Sequence, residues 1–248
     1  MQDRTLAYLA NWFLPAQELF DRAGLSAGAV ELLWQARCLP GPIYARQPDG
    51  TIWSALAAYL GRTADQPAAG SATWYHAGSV WWLRRCALLL RTGLDAPQIA
   101  AQFQAGFCAD FKSLLPGIEG AALAYPAAFE ADGHTLSAGV DAIAQSEWQA
   151  WLAGAYGVCL KQFSARTCIE KEALAKLIAA DAEPTTPADQ LRLLDRMTRL
   201  DSLILPFAPF ERTAGTPGRA IDTPLAALKL GHENPYRVRD GHGEATPC

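Results

Sequence analysis

A chain of 248 residues that is half apolar and holds eight tryptophans can bury a large core, and its 19% charged residues fall below the usual quarter. A net charge of −4 and a pI of 5.6 argue against a nucleic-acid sheath or an anionic-membrane binder, because both need a basic surface. No apolar run reaches the roughly 18 residues of a membrane span, and the start MQDRTLAYL lacks a cationic stretch with an apolar signal core.

The expectation is therefore a mainly α-helical, cytoplasmic protein. Cys38, Cys86, Cys108, Cys159, Cys168 and Cys248 are scattered, with no CxxC pair and no histidine at ligand spacing, so free thiols are expected and no metal site.

Along the chain, Thr5 to Phe13 reads as a short amphipathic helix. A second runs from Pro15 to Ala23, with Gly24 suited to a left-handed cap, and Ser26 caps a third that carries Val30, Leu33 and Trp34. Asp49-Gly50, between Ile43-Tyr44 and Ile52-Trp53, signals a hairpin. Helix, turn, helix and hairpin resemble the winged helix-turn-helix of MerR-like regulators. Residues 1–60 nevertheless carry four arginines against five acids, and AGAVELLWQA offers no base-reading or phosphate-binding side chain. Packing, or the grip of a peptide, fits this unit better than DNA.

A polar linker follows at 62–73. Beyond it, helices are expected over Trp74 to Thr92, from Pro97 to Phe111, and near 141–162, 167–181 and 187–204, with loops and short helical pieces over 116–141. The tail from Thr213 is rich in Gly and Pro and is expected to be irregular. The expected organisation is a winged-helix-like module (1–62), a larger helical domain (74–222) and an irregular tail (223–248).

The most informative stretch is WQAWLAGAYGVCLKQFSARTCIEKE, Trp148 to Glu172. Gly154 and Gly157 would each cost up to about 1 kcal/mol inside a helix, so they point to a close approach by another segment. Tyr156 and Cys159 share one stripe. Thr167 and Glu170 match a capping box, and Glu172 with Lys176 makes an i,i+4 pair; a solvated face is the plain reading for Lys171 and Glu172. Asp201, beside an apolar face, calls for a partner, and Arg212 at the end of PFAPFER or Arg219 beyond it would supply it. His76 stands among aromatic residues, His134 in a glycine loop, and no pair of histidines has metal-ligand spacing. Nucleophile elbows, Walker loops and dinucleotide fingerprints are absent.

Three pieces in order, FLPAQELFDRAGL…CLPGPIY, WLAGAYGVCLK with IEKE, and LDSLILPFAPFER with Arg219 beyond, make the chain similar to a bacterial family of natural product biosynthesis proteins, domain of unknown function 6058. In that family a histidine often stands at the position of Phe210, and serines at those of Gly215 and Thr216. The resemblance implies a place in specialised-metabolite biosynthesis and supplies no reaction and no cofactor. The leading expectation is a pathway protein acting on, or holding, an amino-acid-derived or carrier-bound intermediate. The rival is a non-enzymatic module gripping a peptide, a protein partner or, less readily, DNA. A site is expected between the 148–162 helix and the Pro206–Arg219 loop, close to His76. His76, Tyr156 and Cys159 are its candidate catalytic residues, and Lys161, Lys171, Arg212 and Arg219 its candidate anion-binding cations.

Overall fold

In the computed structural model, which describes residues 2–228, helices dominate and the strands form one small sheet near the N-terminus. Helix α1 (Gln2–Trp12) runs into strand β1 (Phe13–Pro15) and α2 (Ala16–Ala23), which ends on Gly24 in the left-handed region, where only glycine is unstrained. Ser26 accepts the Ala29 N–H and starts α3 (Ala27–Gln35). Strands β2 (Tyr44–Arg46) and β3 (Ile52–Ser54) form the hairpin at Asp49-Gly50; the Asp49 carboxylate takes the Thr51 N–H and Gly50 has φ +85°. Ser54 then caps the short helix α4 (Ala55–Tyr59).

The expected helix from Trp74 begins five residues later. Ala72–His76 is strand β4, paired with both β1 and β2 to give the antiparallel order β1-β4-β2-β3. The aromatic and β-branched run Thr73-Trp74-Tyr75 suits a pleated surface, and two strands with free edges flank it. The last two residues of the expected linker and the three that follow thus complete the sheet of residues 13–54.

Helix α5 (Ser79–Arg91) leads to α6 (Ala96–Leu114), whose Asp95–Gln98 capping box and Pro97 match the expected start. A 3₁₀ turn (Leu115–Gly117), α7 (Ala121–Ala124) and a second 3₁₀ turn (Pro126–Ala128) connect to α8 (Val140–Leu152). The expected continuous 141–162 helix is broken, because Gly154 adopts φ +83° and separates α8 from α9 (Ala155–Cys159). Helix α10 (Ala165–Ala180) starts one turn before the expected box, with Ser164 and Thr167 exchanging caps and Glu170 pairing with Arg166. Helix α11 (Pro187–Leu203) packs against it and is tied to its C-terminal end by Arg196, which pairs with Asp181 and Glu119.

The segment expected to be irregular from Thr213 is largely helical as far as the described residues extend. After α12 (Pro209–Arg212) come one turn of π-helix (Gly218–Asp222) and α13 (Thr223–Ala227). The rest of the expected tail and Cys248 lie outside the described residues.

One continuous apolar core runs from Tyr8 and Phe13 to Ile221, so both expected units bury the same interior. At its centre Trp151 stacks on Phe163 at 4.5 Å, and Trp82, Phe107 and Trp148 pack around them. Five cysteines are free thiols; among the described residues no helix is long and apolar enough to cross a membrane, and no cluster of side chains has the make-up of a metal site.

Candidate functional site

The Gly154 break turns α9 across the face of the N-terminal unit. A Cβ on Gly154 would lie 2.6 Å from that of Ala55, and one on Gly157 would lie 2.4 Å from Ile43 Cδ1. The approaching segment that these glycines require is therefore the hairpin and α4. The far end of α9 is fastened to the loop after α11, through Leu205 N–H to the Cys159 carbonyl (2.8 Å) and Lys161 N–H to the Leu203 carbonyl (2.9 Å).

That loop is itself held shut. Arg212 makes a bidentate pair with Asp222, both contacts 2.8 Å, and donates to the Pro206 carbonyl at 2.8 Å. Gly218 packs where a Cβ would meet the Arg212 and Thr213 carbonyls at about 2.5 Å. Phe207 is buried with φ +64°, a left-handed conformation that costs a bulky residue about 1–2 kcal/mol. Such strain persists only where surrounding contacts over-determine it.

Between α4, α8–α10 and this loop lies a cavity of about 630 Å³. Leu56, Leu60, Phe207 and Phe210 give it an apolar side. Its polar side carries Glu147, Tyr156, Cys159, Lys171, Glu172 and Glu211, with Arg62 and Arg219 exposed at the margin. Tyr156 Oη contacts Glu147 closely and lies 3.2 Å from Glu172 Oε1, which accepts from Lys171 Nζ at 2.6 Å. The Lys171 ammonium also sits 5.6 Å from the Tyr156 ring centroid. Cys168 Sγ is 3.5 Å from Glu147 and 3.8 Å from the Tyr125 hydroxyl. On the opposite side Glu211 accepts from Tyr44 Oη at 2.6 Å and from Ser54 Oγ at 2.5 Å.

Burial dominates the electrostatics. It raises the carboxyl pKa of Glu147 and Glu211 above the ordinary range, against the lowering effect of their hydroxyl donors. It pushes the Tyr156 phenol well up, with the neighbouring Cys168 and Glu172 adding to it, and the Cys159 thiol to about 11, which Lys171 only partly offsets. Burial also opposes the charge of Lys171, but Cys159 and Glu172 outweigh it and hold the ammonium above its ordinary value.

A second cavity, of about 500 Å³, lies on the other face of α9. Trp81, Trp82, Phe103 and Trp151 line it, together with Arg85, His76 and Lys161, and Tyr156 borders both spaces.

The structure thus brings Tyr156, Cys159, Lys171 and Arg219 to one cavity, while His76 and Lys161 line the second, which Tyr156 also borders, and Arg212 lines neither. His76 accepts the Gly78 N–H on Nδ1 (3.0 Å) and meets the Leu160 carbonyl through Nε2 (2.9 Å), which places its proton on Nε2. Burial lowers its pKa, so the ring is neutral and both nitrogens serve the main chain. Lys161 donates to the Asp201 and Ser202 carbonyls at 2.9 and 3.1 Å and caps the end of α11. Arg212 closes its loop on Asp222. Lys171 is buried and pairs with Glu172, where a solvated face and a Glu172–Lys176 pair were expected.

The model of the family of unknown function DUF6058 matches residues 102–229, just over half of the chain. The chain belongs to DUF6058. No curated protein and no solved structure matches it. Glu147, Tyr156, Cys159, Lys171, Glu172, Glu211 and Arg219 all fall within the DUF6058 segment, whereas Tyr44, Ser54 and α4 lie before it. Sequence reasoning passed over Glu147, Glu211, Tyr44 and Ser54. No local signal marked them, because the contacts that give them a role join separate segments of the chain.

Proposed function

We propose that this DUF6058 protein binds a small amphipathic, amino-acid-derived molecule, free or carrier-bound, in the 630 Å³ cavity, as a member of a specialised-metabolite pathway. The supporting observation is the make-up of that cavity, where acids and cations stand beside a wall of Leu56, Leu60, Phe207 and Phe210. Pockets for small molecules are mainly apolar with a few placed polar groups, and this volume lies in their usual range of about 300–1,000 Å³. Arg219 and Arg62 suit a ligand carboxylate; Glu211, fixed by two hydroxyl donors, suits an amino group.

The N-terminal unit, read as winged-helix-like, acts in this proposal as a wall and a clamp. It supplies α4 to the cavity, Tyr44 and Ser54 to Glu211, and Ile43 and Ala55 to the glycines of α9. Its negative balance of charge supports that role over DNA binding.

Titration calorimetry against amino acids, N-acyl amino acids and aminoacyl pantetheine thioesters tests the proposal. One class is expected to bind the wild type and to bind Arg219→Ala and Phe210→Ala about tenfold more weakly, the scale of one lost charge-assisted contact or anchor. Absence of binding by every class, or binding indifferent to both substitutions, would refute it.

A further inference from the structure

Counting protons in the chain of oxygens on the cavity floor exposes a constraint. Glu147 Oε2, Tyr156 Oη and Glu172 Oε1 stand in a row with two hydrogen-bond contacts between them. Each contact needs a hydrogen, and a phenol has one. Burial holds Tyr156 in its protonated form, so it supplies that one and no more. The second hydrogen must sit on a carboxyl group. Glu172 Oε1 already receives the Lys171 ammonium at 2.6 Å, the arrangement of an ionised carboxylate. Glu147 has no cation within ion-pair distance among the described residues, and its other near neighbour is the Cys168 thiol at 3.5 Å.

We infer that Glu147 is a neutral carboxylic acid whose one hydrogen lies toward Tyr156, and that the ligand group lying against this acid is uncharged, in place of an ammonium. The order of donors is then Glu147 to Tyr156, Tyr156 to Glu172, and Lys171 to Glu172. The groups facing Glu147 come from three directions: Tyr156 on α9, Cys168, Lys171 and Glu172 on α10, and Tyr125 before the second 3₁₀ turn. Burial, with the Glu172 charge adding to it, favours the protonated form, while Tyr156, Cys168 and Lys171 oppose it less strongly. Glu211 is the contrasting case. Ser54 Oγ accepts the Ala57 N–H, which leaves its own hydrogen for Glu211, and Tyr44 supplies a second. With two hydroxyl donors Glu211 needs no proton of its own, so the cavity offers one neutral acid and one anion at separate places.

The ligand-facing half of this inference rests on the cavity being the binding site; the protonation state does not.

Infrared difference spectroscopy of the ligand-free protein, wild type minus Glu147→Gln, tests the first half. A protonated-carboxyl carbonyl band is expected at pH 7, vanishing in the variant and titrating in the wild type above the ordinary glutamate range of about 4.3. Absence of the band at pH 7 overturns the inference, as does a band that persists in the variant. Should Glu147→Gln not fold, carbon NMR of the glutamate side-chain carboxyls gives the same reading, with one wild-type resonance in the acid form at pH 7 that moves in Tyr156→Phe; no acid-form resonance in the wild type overturns the inference. For the ligand-facing half, the affinity of whichever of the three ligand classes binds, measured against pH, is expected not to rise as Glu147 ionises and to be flat in Glu147→Gln. Affinity that instead rises as Glu147 ionises would mean an ammonium lies there and would overturn it. A protonated Glu147 in a protein that binds none of the three ligand classes would sink the proposed function and leave the acid intact.

Discussion

Gly157→Ala isolates the contact that seats the N-terminal unit on α9. The new Cβ would lie 2.4 Å from Ile43 Cδ1 and 3.0 Å from its Cγ1, against about 3.5–4.0 Å for an ordinary carbon contact. Ile43 is fully buried and its Cδ1 also stands beside Gly154, so it has little room to swing away. Overpacking of this kind costs about 1–3 kcal/mol, and replacing a helical glycine returns up to about 1 kcal/mol. A net loss of about 1–2 kcal/mol is expected, which lowers Tm by about 2–8 °C for a chain of this size. Ile43→Val deletes the clashing methyl and by itself costs about 1 kcal/mol. In the double variant the methyl introduced by Gly157→Ala occupies space that Ile43→Val has vacated, so its stability should match that of Ile43→Val within about 0.5 kcal/mol. Urea unfolding followed by circular dichroism on all four proteins measures the coupling. Additive losses, or a Gly157→Ala protein more stable than wild type, would show that α9 and the hairpin do not meet as described.

Burial holds the folded-state pKa of His76 below its unfolded value, so the unfolded chain binds the extra proton and stability should fall as pH drops below about 6.5. Unfolding free energies of wild type and His76→Asn at pH 7 and 5 check this; a decline that persists undiminished in the variant would refute it. Arg212→Lys replaces a bidentate fork on Asp222 by a point charge and should cost about 1–2 kcal/mol, read by urea unfolding, whereas an unchanged midpoint would mean the loop is held by other contacts. Lys161→Met should cost about 0.5–1 kcal/mol through the end of α11 and leave ligand affinity within a factor of two; a tenfold loss of affinity would return Lys161 to the site. With its pKa at about 11, Cys159 is roughly 0.1% thiolate at pH 8, so peptide mapping after brief iodoacetamide treatment should find it unmodified. Rapid labelling there would restore it as a nucleophile.

The cavity was partly legible before the structure. Tyr156, Cys159, Lys171 and Arg219 drew notice as residues placed with more chemistry than a packing helix needs, and they border one space. Glu147 drew none, because a glutamate in an amphipathic helix beside Trp148 is ordinary, and the Gly154 break that turns Tyr156 toward it looks in sequence like any helical glycine. Glu211 was hidden because its partners, Tyr44 and Ser54, lie 167 and 157 residues away. The main-chain partners of His76 and Lys161 were hidden for a related reason. Both side chains are rich in possible chemistry, and only the fold shows that main-chain groups already occupy them.

What the sequence by itself determined is local: the Gly24 turn, the Ser26 and Asp95 caps, the Asp49-Gly50 hairpin and the run of helices beyond it. These follow from steric limits on φ and ψ and from backbone groups that find partners within four residues. Tertiary structure decided the rest. It made Ala72–His76 a strand because two sheet edges were waiting for it, and it seated α9 on Ile43 and Ala55. The charge states of Glu147, Lys171 and Cys159 belong to it as well. Pairing across the sheet and the loss of water around a charge both depend on which distant segments meet, and no window of neighbouring residues carries that information.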